Sequence, residues 1–114
     1  MSNRKLDEIP TVVIDEIGGY KFILARVSDG AGNEKLVVRA CDKPELDYHW
    51  KLVRALAHES KVLYVECLGG GRISVDPTKK TIRLWDSSGD YGLEPRQETV
   101  KLLKTEFPDF EVIA

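Results

Sequence analysis

The chain has 114 residues, a length that corresponds to about one domain and can bury a hydrophobic core without metal or disulfide support. Apolar residues make up 42% and charged residues 32%, which is ordinary for a soluble globular protein. The net charge of −2 argues against nucleic-acid or membrane partners, because either needs an extended basic surface. With no apolar signal core or membrane-length segment in view, we expect a cytoplasmic monomer with a flexible N-terminus (1–8) and a single domain (9–114).

The sequence of the first part of the domain predicts three strands. Thr11–Asp15 is a short strand that Gly18-Gly19 is expected to turn. Tyr20–Val27 is rich in β-branched and aromatic residues, which is typical of a strand. Glu34–Cys41 returns after the glycine-rich loop Asp29–Asn33, so these two strands are predicted to form a hairpin.

A change of hydrophobic period after this hairpin predicts the first helix. Asp42 is a suitable N-cap, Pro44 fits the first turn and Glu45 stands three residues after the cap. Apolar residues and one histidine then recur at helical spacing through about Glu59. The members of this stripe are Leu46, His49, Trp50, Val53, Leu56 and Ala57.

The second half of the chain predicts three more strands, a helix and a last strand. Their predicted ranges are Lys61–Cys67, Arg72–Val75, Thr81–Trp85, Glu94–Glu106 and Phe110–Ile113. The second helix should bury Val100, Leu103 and Phe107, and Pro108 should stop it. The alternation predicts an α+β fold, with a mixed, mainly antiparallel sheet of about six strands flanked by two helices.

Three consecutive glycines, Gly69–Gly71, interrupt the strand-like sequence just before Arg72. Each glycine costs an extended segment roughly 0.5–1 kcal/mol relative to alanine, so unusual backbone angles or a close approach must require them. One interpretation is a bulge or sheet corner beside a solvated arginine. The other is a bare backbone that binds an anion such as phosphate together with the guanidinium. Neither a Walker loop nor the dinucleotide fingerprint fits the spacing.

His49 has two interpretations as well. It is either a core histidine that is satisfied by a hydrogen bond or a partly buried imidazole near a helix N-terminus, where an anion is stabilised. In the second case a positive environment keeps the imidazole neutral, so that it can act as base or nucleophile near pH 7. His58, near the C-terminal end of the same helix, is predicted to lie at the surface.

Lys21 and Arg39 lie inside apolar strands. Each is either the polar side of an alternating strand or, with Arg72, part of a group of cations around His49. A metal site is not expected, because the histidines are nine residues apart and the cysteines show no ligand spacing with them. Cys41 and Cys67 are predicted to be buried free thiols.

Four segments together resemble the phosphohistidine phosphatase (janus/ocnus) family, in order from about Ile9 to Val112. They are Glu66–Ser74, Asp47-Tyr48-His49, Tyr20–Val27 and Phe107–Val112. The resemblance implies a small sheet with two helices and metal-independent, cofactor-free hydrolysis of phosphoramidate bonds. The implied substrates are phosphohistidine-containing proteins or small phosphoramidates.

The resemblance also implies site residues. His49 matches the proton acceptor of the family and Lys21 its substrate-binding lysine, while Arg39 and Arg72 match basic residues near the phosphate pocket. The stretch Ser88-Gly89-Asp90 matches the phosphate-binding loop.

Two positions depart from the family pattern. Asp90 stands where a small neutral residue is usual, so we expect its carboxylate to turn outward and leave Ser88 Oγ and loop N–H groups to bind phosphate. Trp50 stands where alanine is common, so its N–H can donate while its ring enlarges the pocket wall. The favoured function is a phosphohistidine phosphatase with His49 as general base. The alternatives are a phosphate-binding module without turnover and an interaction domain without an anion site.

Overall fold

The computed structural model describes residues 6–14, 18–40, 48–60 and 64–114. Within these ranges two α-helices pack against opposite faces of one six-stranded sheet. The strands are β1 (Val12–Val13), β2 (Gly18–Ser28), β3 (Glu34–Ala40), β4 (Tyr64–Asp76), β5 (Thr81–Trp85) and β6 (Glu111–Ile113). The helices are α1 (His49–Ser60) and α2 (Arg96–Glu106), and a short 3-10 helix covers Leu6–Glu8.

The strand order is β1-β3-β2-β4-β5-β6. The inner pairs β3–β2, β2–β4 and β4–β5 are antiparallel, whereas the edge strands β1 and β6 each run parallel to their neighbour. The predicted α+β class and the β2–β3 hairpin are therefore confirmed. The strand β1 pairs with β3, however, so Gly18-Gly19 does not turn it onto β2 but forms the start of β2 itself.

The sequence suggested that the glycines divide this segment into two strands, but they do not. β4 runs without a break through Gly69–Gly71 and pairs with β2 along its whole length. The register shifts once, because Leu24 pairs with Gly69 and Ala25 pairs with Cys67, which leaves one extra residue in β4. The shift is a β-bulge, and Gly69 adopts a φ of 134° there, in the region that favours glycine.

Strand alternation divides the core between the two faces of the sheet. The face toward α2 buries Tyr20, Phe22, Leu24, Val38, Ala40, Ile73, Val75, Ile82 and Leu84 together with Leu103 of the helix. The face toward α1 buries Ile9, Ile23, Ala25, Val27 and Val37 together with Leu52 and Leu56 of the helix. The larger cluster thus lies under α2.

The buried side of α1 differs from the predicted stripe. His49, Leu52 and Leu56 are buried, whereas Trp50 and Ala57 are exposed. The true stripe follows the spacing 49, 52, 56, which is rotated by a fraction of a turn from the predicted one. Leu46, Cys41 and the predicted cap residues 42–45 lie outside the described residues. His58 is exposed, as predicted.

α2 begins two residues later than predicted and ends as predicted, before Pro108. Leu103 is fully buried, while Val100 and Phe107 are half-buried against the same cluster. The N–H of Phe107 donates to the carbonyl of Leu103 at 2.8 Å and closes the last turn.

The domain limits stay a prediction. Leu6–Glu8 forms the 3-10 helix, and Ile9 directly after it is fully buried. The Lys35 ammonium donates hydrogen bonds to the carbonyls of Leu6 and Ile9, which attaches this segment to β3. In the part of the chain that the structure describes, no helix has the length and apolar character needed to cross a membrane.

Candidate active site

A pocket of about 510 Å³ opens where the start of α1 meets β2, β4 and the loop after β5. Six of the eight residues predicted for the site line it: Lys21, His49, Trp50, Arg72, Gly89 and Asp90. Tyr48, Asp86 and Ser87 complete the lining, and the sequence analysis assigned none of these three to the site. Arg39 and Ser88 are not among the lining residues.

His49 is the first residue of α1 and is 8% exposed. Its Nε2 lies 3.0 Å from the carbonyl oxygen of Gly71. Because a carbonyl oxygen can only accept, Nε2 must carry the proton of this hydrogen bond, and in the neutral ring Nδ1 is then unprotonated. His49 is therefore both a hydrogen-bonded buried histidine and a pocket residue with one ring nitrogen able to accept a proton.

The glycine run explains why a backbone carbonyl is available to His49. A Cβ at Gly70 would overlap the carbonyl oxygen of Phe22 on β2. A Cβ at Gly71 would lie 2.5 Å from the carbonyl oxygen of Trp85, and one at Gly69 would lie 2.5 Å from the backbone nitrogen of Glu94. All three are backbone contacts that cannot move aside easily. The glycines thus let β2 and the chain after β5 close in around β4, in agreement with the bulge interpretation. Binding of an anion to this backbone stays a prediction.

Lys21 and Arg72 stand directly opposite each other on β2 and β4, so both side chains lie on the face toward α1. Lys21 Nζ lies 4.8 Å from the centroid of the Tyr48 ring, a cation–π contact that steadies the ammonium at the pocket. Arg72 Nε lies 3.6 Å from Asp86 Oδ2. These side chains are 48% and 61% exposed, so the pair is weak and the guanidinium can turn to another anion.

Ser88 does not occupy the predicted position, because its polar atoms are bonded inside the protein. It is 3% exposed, and its N–H donates to the carbonyl of Gly70 at 3.0 Å. Its Oγ accepts from the N–H of Tyr91 at 3.1 Å. Ser88 therefore fastens the loop onto β4, and the neighbouring Ser87 lines the pocket instead.

Asp90, whose carboxylate was expected to turn outward, is among the residues that line the pocket. Asp86, four residues earlier, borders the same space and adopts a φ of 63°, which aspartate tolerates better than most residues. The loop thus adds two acidic residues to the lining of a pocket that was predicted to be cationic.

Arg39 is not among the residues that line the pocket, and its guanidinium is paired elsewhere. Its Nε and Nη2 each donate to the Glu59 carboxylate at 3.1 Å, and its Nη1 donates to the Val38 carbonyl. Glu59 follows His49 by ten residues, which places this ion pair about 15 Å along α1 from the pocket. Arg39 instead joins the C-terminal half of α1 to β3.

A buried polar network that the sequence analysis missed holds the ends of the loop. Arg96 Nη2 donates to the Asp86 carbonyl at 2.7 Å, and Arg96 Nε donates to the Glu94 carboxylate at 3.0 Å. Thr99 Oγ1 donates to the same carboxylate at 2.6 Å. A glutamate, an arginine and a threonine at the start of a helix were the available signal, since a buried carboxylate requires such partners.

Cys67 is a free cysteine on β4. Burial raises the pKa of its thiol above the ordinary value, and the charge of Glu94 acts in the same direction. The thiol therefore stays protonated near neutral pH and is a poor nucleophile. This leaves His49 as the better candidate for proton transfer.

Comparison with known proteins identifies the family. The family model described as Janus/Ocnus family matches residues 6–111. The chain belongs to the Janus/Ocnus family. The sex-regulated protein janus-A of Drosophila pseudoobscura pseudoobscura is 36% identical, over 98% of this chain and 78% of its own length. The 14 kDa phosphohistidine phosphatase of Sus scrofa is 34% identical, over 94% of this chain and 90% of its own length. This Janus/Ocnus protein is thus similar both to janus-A proteins and to a phosphatase.

Proposed function

We propose that this Janus/Ocnus protein is a metal-independent phosphohistidine phosphatase, which hydrolyses P–N bonds with His49 as general base. The observation that carries the proposal is the hydrogen bond from His49 Nε2 to the Gly71 carbonyl, because it leaves Nδ1 as the proton acceptor in a pocket lined by Lys21 and Arg72. The named activity of the relative from Sus scrofa supports the same class of reaction.

In the proposed reaction the phosphoryl oxygens lie beside the Lys21 ammonium and the Arg72 guanidinium. His49 Nδ1 takes a proton from a water molecule while the water oxygen attacks phosphorus. The P–N bond breaks, and the leaving nitrogen keeps the electron pair and takes up a proton from solvent, while His49 Nδ1 afterwards releases its proton to solvent. The Gly71 carbonyl stabilises the imidazolium, because a hydrogen bond to a charged donor is stronger than one to a neutral donor. Most of the rate enhancement comes from positioning and charge stabilisation.

A second version of the mechanism makes His49 the nucleophile. Nδ1 then attacks phosphorus and becomes phosphorylated, and water hydrolyses the new P–N bond in a second step. Rapid-quench trapping distinguishes the two versions, because only the second forms a phosphorylated protein during a burst. Finding no such species under burst conditions supports the general base.

Non-catalytic phosphate binding is the second candidate function. Asp86 and Asp90 border the pocket and reduce its attraction for a phosphoryl group in the transition state as well as in the ground state. Trp50 contributes a bulky side chain to the lining. A protein with these features can hold a phosphorylated partner without releasing phosphate from it.

The test is phosphate release from a phosphohistidine peptide in excess EDTA. We expect the unaltered chain to release phosphate, and we expect His49→Gln to reduce kcat by about 10²–10⁴-fold, the usual contribution of a general base. Glutamine keeps an N–H donor for Gly71 but cannot act as a base, so the melting temperature should change little. An inert wild type that phosphate still stabilises against heat would support the binder. Loss of activity in EDTA would disprove metal independence.

The proposal extends to substrates and setting. Its substrates are phosphohistidine-containing proteins or small phosphoramidates, with no cofactor, and the protein acts as a monomer in the cytoplasm. The protonated free thiol of Cys67 suits a reducing compartment. Light scattering of the purified chain tests the monomer, and a dimer mass would disprove it.

A further inference from the structure

The described residues that line the pocket carry charges of both signs. Lys21 and Arg72 are cationic, and Asp86 and Asp90 are anionic. With His49 neutral, the formal charges of these lining residues sum to zero. Asp86 and Asp90 therefore weaken the attraction that Lys21 and Arg72 exert on a phosphate ion, which carries only negative charge. The pocket is complementary to a ligand that has an anionic and a cationic part side by side.

The two carboxylates differ in their surroundings. Asp86 lies 3.6 Å from Arg72, so its charge is already partly balanced, and its carbonyl accepts from Arg96. Asp90 is exposed at the pocket, and within the described ranges no hydrogen bond or ion pair engages its carboxylate. A ligand in the pocket is therefore either repelled by the Asp90 charge or neutralises it.

We infer that Asp90 determines substrate specificity by binding the positive charge on the nitrogen side of an N-phosphorylated basic residue. This inference rests on the proposed function, because it concerns the same pocket. Lys21 and Arg72 attract the phosphoryl oxygens of any substrate. The Asp90 carboxylate repels a phosphoryl group alone, and this repulsion is offset only when a cation is attached to the phosphorus.

The preferred ligands are therefore phosphoramidates whose leaving group is charged. In Nε-phospholysine the nitrogen bonded to phosphorus is a protonated amine at neutral pH, and the guanidinium of phosphoarginine and the protonated ring of phosphohistidine offer the same combination. Phosphate esters and inorganic phosphate lack the cation. The carboxylate thus works against them and in favour of the phosphoramidates.

Neutralising Asp90 should change the affinities for these two kinds of ligand in opposite directions. The variants are Asp90→Asn and, as a matched exposed control outside the pocket, Asp109→Asn, each in a His49→Gln background that prevents turnover. Calorimetric titration gives the dissociation constants for an Nε-phospholysine peptide and for inorganic phosphate. We expect Asp90→Asn to weaken peptide binding and to tighten phosphate binding, each by about twofold to fivefold, the range of exposed ion pairs. Asp109→Asn should change neither.

The role of Asp90 would be overturned if the dissociation constants for peptide and phosphate changed in the same direction, or if their ratio did not change. If the His49→Gln background does not fold, KM for the peptide and the inhibition constant for phosphate in the otherwise unaltered chain provide the same ratio. Hydrolysis of the phosphohistidine peptide by the wild-type protein is measured beside the titrations. Opposite shifts in affinity without hydrolysis would overturn the proposed phosphatase and leave ligand selection by Asp90 standing. Binding of neither ligand would overturn both.

Discussion

The two faces of the sheet are built from the same strands but do different work. On the face toward α2, apolar side chains from β2 to β5 form a continuous buried cluster with Leu103 at its helix contact. On the face toward α1, the buried cluster stops short of Lys21 and Arg72, and the polar pocket begins there. Along β2 the change is from Tyr20 and Phe22 on one side to Lys21 on the other.

The difference shows how a small domain accommodates a charged site. Because side chains alternate along a strand, one face can supply the hydrophobic free energy while the other carries the functional groups at adjacent positions. Substitutions on each face should show how far stability and catalytic activity are separated between the two faces.

Gly70→Ala should affect both faces of the sheet, since Gly70 lies where the backbones of β4 and β2 are in close contact. The new Cβ would overlap the Phe22 carbonyl oxygen, so β2 and β4 must move apart. We expect a loss of unfolding free energy beyond the ~1–3 kcal/mol typical of overpacking, because the new Cβ clashes with backbone rather than with a side chain. Urea denaturation measures the loss. At Gly89 an added Cβ meets nothing within 4 Å, so Gly89→Ala is the control and should be near neutral in stability. Equal stability of the two variants would contradict the role of close approach.

Leu103→Ala tests the α2 face alone. Leu103 is fully buried, so the substitution should lower the unfolding free energy by about 2–5 kcal/mol. Phosphate release per folded molecule should stay unchanged, since the pocket lies on the other face. Leu93→Ala, at a leucine that is 62% exposed, serves as the control and should cost less than ~0.5 kcal/mol. A large fall in kcat for fully folded Leu103→Ala would show that the faces are coupled.

Lys21→Met tests the α1 face alone and should have the smallest effect. The substitution keeps the apolar stem and removes the charge, so KM should rise about tenfold, or ~1.4 kcal/mol, with little change in melting temperature. Lys51 contacts the same Tyr48 ring at 5.1 Å but is not part of the pocket lining. Lys51→Met should therefore leave KM within about twofold. Equal effects of the two variants would assign the lysines to packing on Tyr48 rather than to the substrate.

The sequence predicted the fold more fully than it predicted the loop. The alternation in Tyr20–Val27 and the turn signals around it identified β2 and its hairpin partner, because local pattern and tertiary pairing agree there. It placed a break at Gly69–Gly71, where β4 is continuous, because the need for these glycines comes from β2 and from the chain after β5. Such contacts are distant in sequence, so the three glycines indicate a close approach without showing which segments make it.

The site was predicted best for residues that lie on regular elements. The start of a helix and two facing strand residues brought His49, Lys21 and Arg72 together, as the resemblance implied. Ser88 and Arg39 lie outside the pocket lining because side-chain direction in an irregular loop, and competition from Glu59 for the guanidinium, depend on packing. The same limit applied to the buried Glu94, which was visible in the sequence only as a helix start.

The long β2–β4 pairing has a consequence for how the molecule folds. Lys21 and Arg72 are 51 positions apart, and they meet only through this pairing. The β2–β3 and β4–β5 pairs are local hairpins that close short loops, whereas β2 and β4 must close a loop containing β3 and α1. We therefore expect the pocket to be assembled late, when the two hairpins pair along their inner edges. Recovery of ligand binding during refolding should report this docking step and lag behind the recovery of β-strand signal.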